Sequence, residues 1–246
     1  MSPAYRETRA DFRPMSLRDA WEQHASDWVR FAQEPAQDSY WRFHRDVFLE
    51  LVPPPGRLTL DIGCGEGRLT RELDARGHQL IGIDGSTTMI EAAQSRSPEL
   101  EFVEADAANL PLEDGTADVA IAFMSLGDID DMHGAVRETA RVLEPGGRFV
   151  AAVVHPINSG HEIDREHPQE RLVLAEDYFD RRRLRDEVER AGQRMIFEGV
   201  HWTLQDYFDA LFAAELTVEA LREVGDPEHP RWSRYPLFLH FRAVRA

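Results

Sequence analysis

The segment Leu60-Asp61-Ile62-Gly63-Cys64-Gly65-Glu66-Gly67 constrains this chain more than any other. A short apolar run ends in glycines at alternate positions, and helical spacing over 68–76 follows, so the segment predicts a strand, a tight turn and a helix. Glycines so placed let the backbone turn sharply and come within contact of a ligand. The pattern is not the dinucleotide fingerprint G-x-G-x-x-G. Its third glycine, Gly67, arrives one position early and Arg68 follows, leaving less room for a pyrophosphate at the helix N-terminus.

The same strand-helix rhythm continues for about a hundred residues. Strands are expected over 58–62, 79–84, 100–103, 117–123 and 148–154. Helices are expected between them, one ended by Gly77, one opened by Ser86 or Thr87, and one opened near Asp130 and Asp131. Pro145-Gly146-Gly147 reads as the turn into the fifth strand. Such alternation predicts a parallel sheet covered on both faces, with any ligand beyond the C-terminal strand ends.

Before this core, residues 1–20 carry scattered charge and are expected to be poorly ordered. Helical spacing emerges over 17–31, a break falls at 34–38, and a second helix runs over 40–51 until Pro53-Pro54-Pro55-Gly56 stops it. After the core, 156–200 is highly charged and reads as a partly helical insertion over the strand ends. A helix over 204–214 and strands over 217–224 and 235–244 complete the chain. One domain is expected: a helical cap (1–52), a core (57–155), a substrate-capping insertion (156–200) and a closing segment (201–246).

Composition narrows the function classes. The net charge of −17 disfavours nucleic acid and anionic lipid as partners, because binding to either rests on cationic side chains displacing counterions. All 28 cationic side chains other than histidine are arginine, which excludes any mechanism that needs a lysine amine, including a Schiff base, a P-loop lysine or a Tyr-x-x-x-Lys pair. No apolar run is long enough to span a membrane. The first fourteen residues lack a signal-type apolar segment, and the single cysteine, Cys64, forms no internal disulfide. The expected address is the cytoplasm.

Two acids follow the second and third strands. Asp84, closing Ile81-Gly82-Ile83-Asp84, can accept hydrogen bonds from both hydroxyls of a ribose. Asp106, in Val103-Glu104-Ala105-Asp106-Ala107-Ala108, can receive an adenine amino group. With the glycine turn, these features make the chain resemble the class I S-adenosylmethionine-dependent methyltransferases, in the branch that methylates small molecules. The resemblance covers roughly residues 40–155. It implies a Rossmann-like, doubly wound α/β fold with a seven-stranded sheet, mostly parallel with the last strand antiparallel, and S-adenosylmethionine as cofactor. It implies that Asp61, Gly63, Cys64, Gly65 and Gly67 surround the methionyl part, and that Asp84, Gly85, Ser86 and Met89 lie beside the adenosine. Asp106 and Ala107 match the adenine loop, and Met124, Ser125 and Leu126 the strand end beneath the sulfonium. Tyr40 stands on a helix that in this family often folds over the cofactor.

Methyl transfer from a sulfonium needs alignment and exclusion of water more than chemical groups, and proximity alone can supply roughly 7–11 kcal/mol. If a general base is used, His155, ending the fifth strand, and His201, opening the helix of the closing segment, are the candidates. His155-Pro156, Tyr178-Phe179 and His201-Trp202-Thr203-Leu204 resemble the small-molecule branch, although Trp202 and Glu215-Leu216 depart from its usual pattern. Arg181-Arg182-Arg183 reads either as a carboxylate-binding run or as a solvated helix face. Asp128, Asp130, Asp131 and His133 suit either a divalent cation or helix N-termini, and no metal is assigned. The aromatic residues Trp21, Trp28, Trp41, Trp202 and Phe208 suggest a closed pocket for a partly apolar small molecule. Two other readings stay open: a protein of this fold that binds the cofactor without methyl transfer, and an NAD-dependent oxidoreductase.

Overall fold

The computed structural model describes residues 15–33, 39–162, 172–174, 178–190 and 192–246. Eleven strands lie among them: β1 (Thr59–Ile62), β2 (Leu80–Asp84), β3 (Glu101–Glu104), β4 (Ala117–Phe123), β5 (Leu143–Val154), β6 (His161–Glu162), β7 (Val173–Leu174), β8 (Arg183–Arg190), β9 (Gln193–Val200), β10 (Leu216–Val224) and β11 (Phe238–Arg245). Seven form the main sheet, in the order β10-β11-β5-β4-β1-β2-β3. β11 pairs antiparallel with both β5 and β10, and the remaining pairings are parallel. This is the expected seven-stranded Rossmann-like sheet.

The α-helices are α1 (Leu17–Phe31), α2 (Arg45–Leu49), α3 (Arg68–Asp74), α4 (Thr87–Arg96), α5 (Met132–Val142), α6 (Pro156–Ser159) and α7 (Leu204–Ala213). The central strands are short continuous apolar runs because both sheet faces are covered. On one face Leu60, Ile62, Ala120 and Ala122 pack with residues of α5 and α7. On the other, Val119, Ile121, Val150 and Ala152 pack with Phe48, Leu69 and Leu73. Strand alternation separates these two sets.

Local chemistry explains most boundaries. Ser86 caps α4 by accepting from Met89 N–H, and a reciprocal Thr203–Asp206 capping box opens α7. The expected helix over 40–51 is shorter and begins as a π-helical turn, Tyr40–His44, before α2. The break expected at 34–38 and the disorder expected over 1–14 lie outside the described residues, whereas Leu17–Ala20 form the first turn of α1. β5 starts earlier than expected, at Leu143, and its pairing with β4 shifts register around the Pro-Gly-Gly turn.

One expectation is corrected. Among the described residues of the insertion the helix is confined to the single turn of α6, and the charged run expected to be helical forms an antiparallel hairpin of β8 and β9. Arg183 therefore stands on a strand rather than a helix face. It is paired across the hairpin with Glu198, while Arg181 lies over the Trp202 ring at 4.1 Å and pairs with Asp206.

Candidate active site

The C-terminal ends of β1, β2 and β4 open into a cavity of about 480 Å³, within the range of small-molecule sites. The glycine turn forms its floor. Gly63 has φ +71°, and a Cβ there would lie 2.3 Å from Ser125 Cβ, so the turn and the end of β4 meet because this position has no side chain. The Ser125 hydroxyl donates to the Ile62 carbonyl at 2.6 Å and fastens the two strand ends together. Met124, beside it, lies in the left-handed region at φ +60°, a strained conformation of the kind found at ligand sites.

Asp84 holds the turn from the side. One carboxylate oxygen accepts from Gly65 N–H at 2.8 Å and the other from Ser86 N–H at 2.9 Å. Each oxygen retains a lone pair for a ligand. Burial raises its pKa despite these bonds. Asp61, 1% exposed, accepts from the Thr70 hydroxyl, and burial, helped by the Asp84 charge, pushes its carboxyl up to about 7. Asp106 turns its carboxylate onto Ala108 N–H.

Helix α1 roofs the cavity. Its N-terminus is held by Asp130, which accepts from Leu17 N–H (2.8 Å) and Arg18 N–H (3.3 Å). Glu22 accepts from the Ser86 and Thr88 hydroxyls, Arg18 pairs with Glu104 at 2.9 Å, and Trp21 Nε1 donates to the Glu198 carbonyl on β9 at 2.9 Å. Trp21, Trp28, Phe31 and Phe197 form an aromatic wall of mostly edge-to-face pairs, with ring centroids about 6 Å apart. Of the aromatic residues expected to close the pocket, Trp21 and Trp28 line it. Trp202 is buried beneath Arg181, Phe208 packs against the core, and Trp41 is exposed.

Twelve of the candidate residues line this cavity: Asp61, Gly63, Cys64, Gly65, Asp84, Gly85, Ser86, Met89, Asp106, Ala107, Met124 and Ser125. Five do not. Gly67 is the N-cap of α3, and Leu126 belongs to the core. Tyr40 is buried against Arg68 (4.2 Å) and Phe123, with its hydroxyl pushed up to about 12 by burial. His155 caps α6, accepting from Ile157 N–H through Nδ1, while Nε2 lies 3.2 Å from Glu223. His201 is engaged at both ring nitrogens, by Ser159 Oγ at 2.7 Å and the Tyr178 carbonyl at 2.8 Å. Burial lowers the pKa of both histidines.

Residues that the sequence did not single out also face the cavity: Arg18, His44, Arg68, Phe197 and Tyr207. His44 is stacked between Phe238 (4.0 Å) and His240 (4.5 Å), and burial holds its pKa well below the usual value. Of the acids weighed for a cation, Asp130 serves α1 and Asp131 caps α5 through Gly134 N–H. Among the described residues, no group of three or more His, Cys, Asp or Glu is placed to hold a metal ion.

Comparison with known proteins agrees with this geometry. A family described as "Methyltransferase domain" matches residues 60–151. The chain is 37% identical over 112 residues to the demethylmenaquinone methyltransferase of Corynebacterium kroppenstedtii, covering 46% of this chain and 47% of that protein. It is 37% identical over 130 residues to the O-methyltransferase cnsE of Penicillium expansum, covering 49% and 46%. The chain thus spans about half the length of the curated relatives it matches. Its fold superposes on an S-adenosylmethionine-dependent methyltransferase of Mesorhizobium loti with a TM-score of 0.68 at 23% identity, over 86% of this chain and 100% of that one. The residues present fit the nucleoside sulfonium that such proteins use: the Asp84 lone pairs suit ribose hydroxyls, and Gly63 places no side chain on the floor. Residues 60–151 thus match a methyltransferase domain, and the chain shares the sheet order and fold of S-adenosylmethionine-dependent methyltransferases of known structure.

Proposed function

We propose that this protein transfers the methyl group of S-adenosylmethionine to a small molecule held between α1 and the β8–β9 hairpin. The observation that carries this reading is the continuity of one cavity. It runs from the acids after β2 and β3, across the glycine turn, to an aromatic compartment enclosed by the cap and the hairpin. The cofactor supplies an electrophilic methyl on a good leaving group. The chain's task is to orient that methyl and exclude water: Asp84 and the turn hold one partner, and the aromatic wall holds the other. The twelve cavity-lining residues are the proposed cofactor contacts, with Gly67, Tyr40 and Leu126 supporting them from behind.

A net charge of −17 and the acids around the cavity favour a small acceptor over nucleic acid. Among the described residues no helix is long and apolar enough to cross a membrane. The buried free thiol of Cys64 is in keeping with a reducing, cytoplasmic setting.

Calorimetric titration with S-adenosylmethionine and with NAD tests the cofactor, and release of S-adenosylhomocysteine in the presence of acceptors tests the transfer. Asp84→Asn is expected to weaken S-adenosylmethionine binding by about 1.5–3 kcal/mol, roughly 10- to 150-fold, because an amide nitrogen cannot accept from a ribose hydroxyl. Affinity indifferent to this change, or tighter binding of NAD, would sink the reading.

A further inference from the structure

The carboxylates around the cavity divide sharply by what they bind. Asp61, Asp84, Asp106, Asp130 and Asp131 each accept from a named hydroxyl or backbone N–H, and Glu66 and Glu198 pair with arginines. Asp186 stands exposed on β8 at the mouth. Asp128 is different. It sits on the 3-10 turn Leu126–Asp128 after β4, lines the cavity, and among the described residues its carboxyl has neither a hydrogen-bond donor nor a cationic partner.

The hairpin presses this carboxyl into place. A Cβ on Gly199 of β9 would lie 2.8 Å from Asp128 Oδ1 and 3.1 Å from the Gly127 carbonyl. From α7, the Tyr207 side chain, 4% exposed, brings its hydroxyl against the same turn, 3.7 Å from the Cβ position of Gly127. That hydroxyl also lacks a partner among the described residues. Two polar groups from separate elements therefore face one compartment whose other walls are Trp21, Phe197 and Val200. Asp128 is half-buried and Tyr207 buried, so the two groups stand at the cavity surface, open to a ligand that can bond to both.

We propose that Asp128 is the proton acceptor for a phenolic hydroxyl of the acceptor molecule, and that Tyr207 orients that hydroxyl. This inference rests on the cavity being a methyl-transfer site and names its acceptor class. Aromatic walls suit a planar ring, and a hydroxyl is the acceptor that must lose a proton as it attacks. An ammonium group would bring a second positive charge beside the sulfonium and would offer no lone pair. The phenolic proton passes to Asp128 Oδ while the oxygen's electron pair forms the bond to the methyl carbon. The carbon–sulfur bond breaks with its electrons remaining on sulfur. The products are an aryl methyl ether and S-adenosylhomocysteine, and Asp128 returns its proton to water.

Burial, with the Asp84 charge adding to it, holds the Asp128 carboxyl well above the usual carboxylate range. Asp84 on β2, Asp130 and Asp131 beyond the turn, Asp186 and Glu198 on the hairpin, Tyr207 on α7 and Arg18 on α1 are the charged and titratable groups around it. A cation bound in the cavity favours ionised Asp128, so the base is set only when the methyl donor is present.

Two measurements test this. Near neutral pH, titration in buffers of different ionisation enthalpy is expected to show proton release with S-adenosylmethionine beyond that with S-adenosylhomocysteine. Asp128→Asn is expected to lose that excess and, because proton release and binding are linked, to weaken S-adenosylmethionine relative to S-adenosylhomocysteine, and equal release by the variant would overturn the proposal. Failure of both nucleosides to bind the wild type would instead sink the cofactor reading. Second, a panel of substituted phenols and matching anilines is offered with S-adenosylmethionine. Phenols are expected to be methylated, with Asp128→Asn slower by at least about 100-fold and without the acid limb of the pH profile. Tyr207→Phe is expected to raise KM more than it lowers kcat. An unchanged phenol rate in Asp128→Asn, methylation of anilines in place of phenols, or no turnover of any phenol would each overturn it.

Discussion

Replacing Gly63 with alanine is expected to lower the melting temperature by about 5–15 °C and to abolish detectable binding of S-adenosylmethionine. Two costs combine. Position 63 holds φ +71°, where an L side chain costs roughly 1–2 kcal/mol. The new Cβ would also lie 2.3 Å from Ser125 Cβ and 2.8 Å from Ser125 Oγ, an overlap relieved only by parting β1 from β4, at about 1–3 kcal/mol. That parting breaks the Ser125–Ile62 bond and moves the floor on which the cofactor would rest. The two costs are separable. Adding Ser125→Gly restores space without changing φ, so the double variant should recover the overlap part in thermal unfolding and retain the strain part. A double variant no more stable than Gly63→Ala would show that the contact with Ser125 is not the cause.

His240 should make stability pH-dependent in a way that one substitution isolates. Its ring is fully buried among His44, Phe48 and Phe238, and neither nitrogen has a hydrogen-bond partner among the described residues. Burial pushes its pKa down to about 3 from an unfolded value of 6.5. Below pH 6.5 the unfolded chain takes up a proton that the folded chain refuses, so this contribution is full above 6.5 and is lost as pH falls toward 3. Asp61 acts in the opposite direction: its folded pKa of about 7 exceeds the model-peptide value of 3.8, so its contribution is full below 3.8 and lost as pH rises through 7. Wild-type stability alone therefore mixes the two. His240→Phe keeps the ring and removes the titration, so relative to wild type it should gain about 2–3 kcal/mol between pH 7 and pH 4.5. Urea unfolding midpoints at the two pH values measure this. Variant and wild type falling in parallel on acidification would contradict the assignment.

The parts of this molecule legible in the sequence are those where one physical demand fixes the residue type. Strands β1, β4 and β5 are covered on both faces and read as apolar runs, and the Gly63 turn admits no side chain. The hairpin was illegible for the opposite reason. Arg183–Arg190 is a mostly exposed, charged ribbon, and it is held by cross-strand pairs such as Glu187–Arg194 and by Arg183 donating to the Met15 carbonyl just before α1, 168 residues earlier in the chain. The acids near 128–131 look alike in sequence. Only the fold sends Asp130 to one helix and Asp131 to another, and leaves Asp128 facing the cavity. His155 and His201 were reasonable candidates by position, yet Glu223, Ser159 and Tyr178, which engage their rings, lie far away in the chain.

The placement of α1 has a consequence for traffic. Through Trp28 the helix lies over Gly65, and through Arg18 over Gly85, so one element stands above both the glycine turn and the end of β2. Its fastenings at Asp130, Glu22 and Glu198 are individual polar contacts of about 1 kcal/mol each, weak enough to release as a local opening while the sheet stays intact. Under the proposed function, molecules entering and leaving the cavity would pass beneath α1, and the pace of its opening, rather than of bond exchange, would then set the ceiling on turnover.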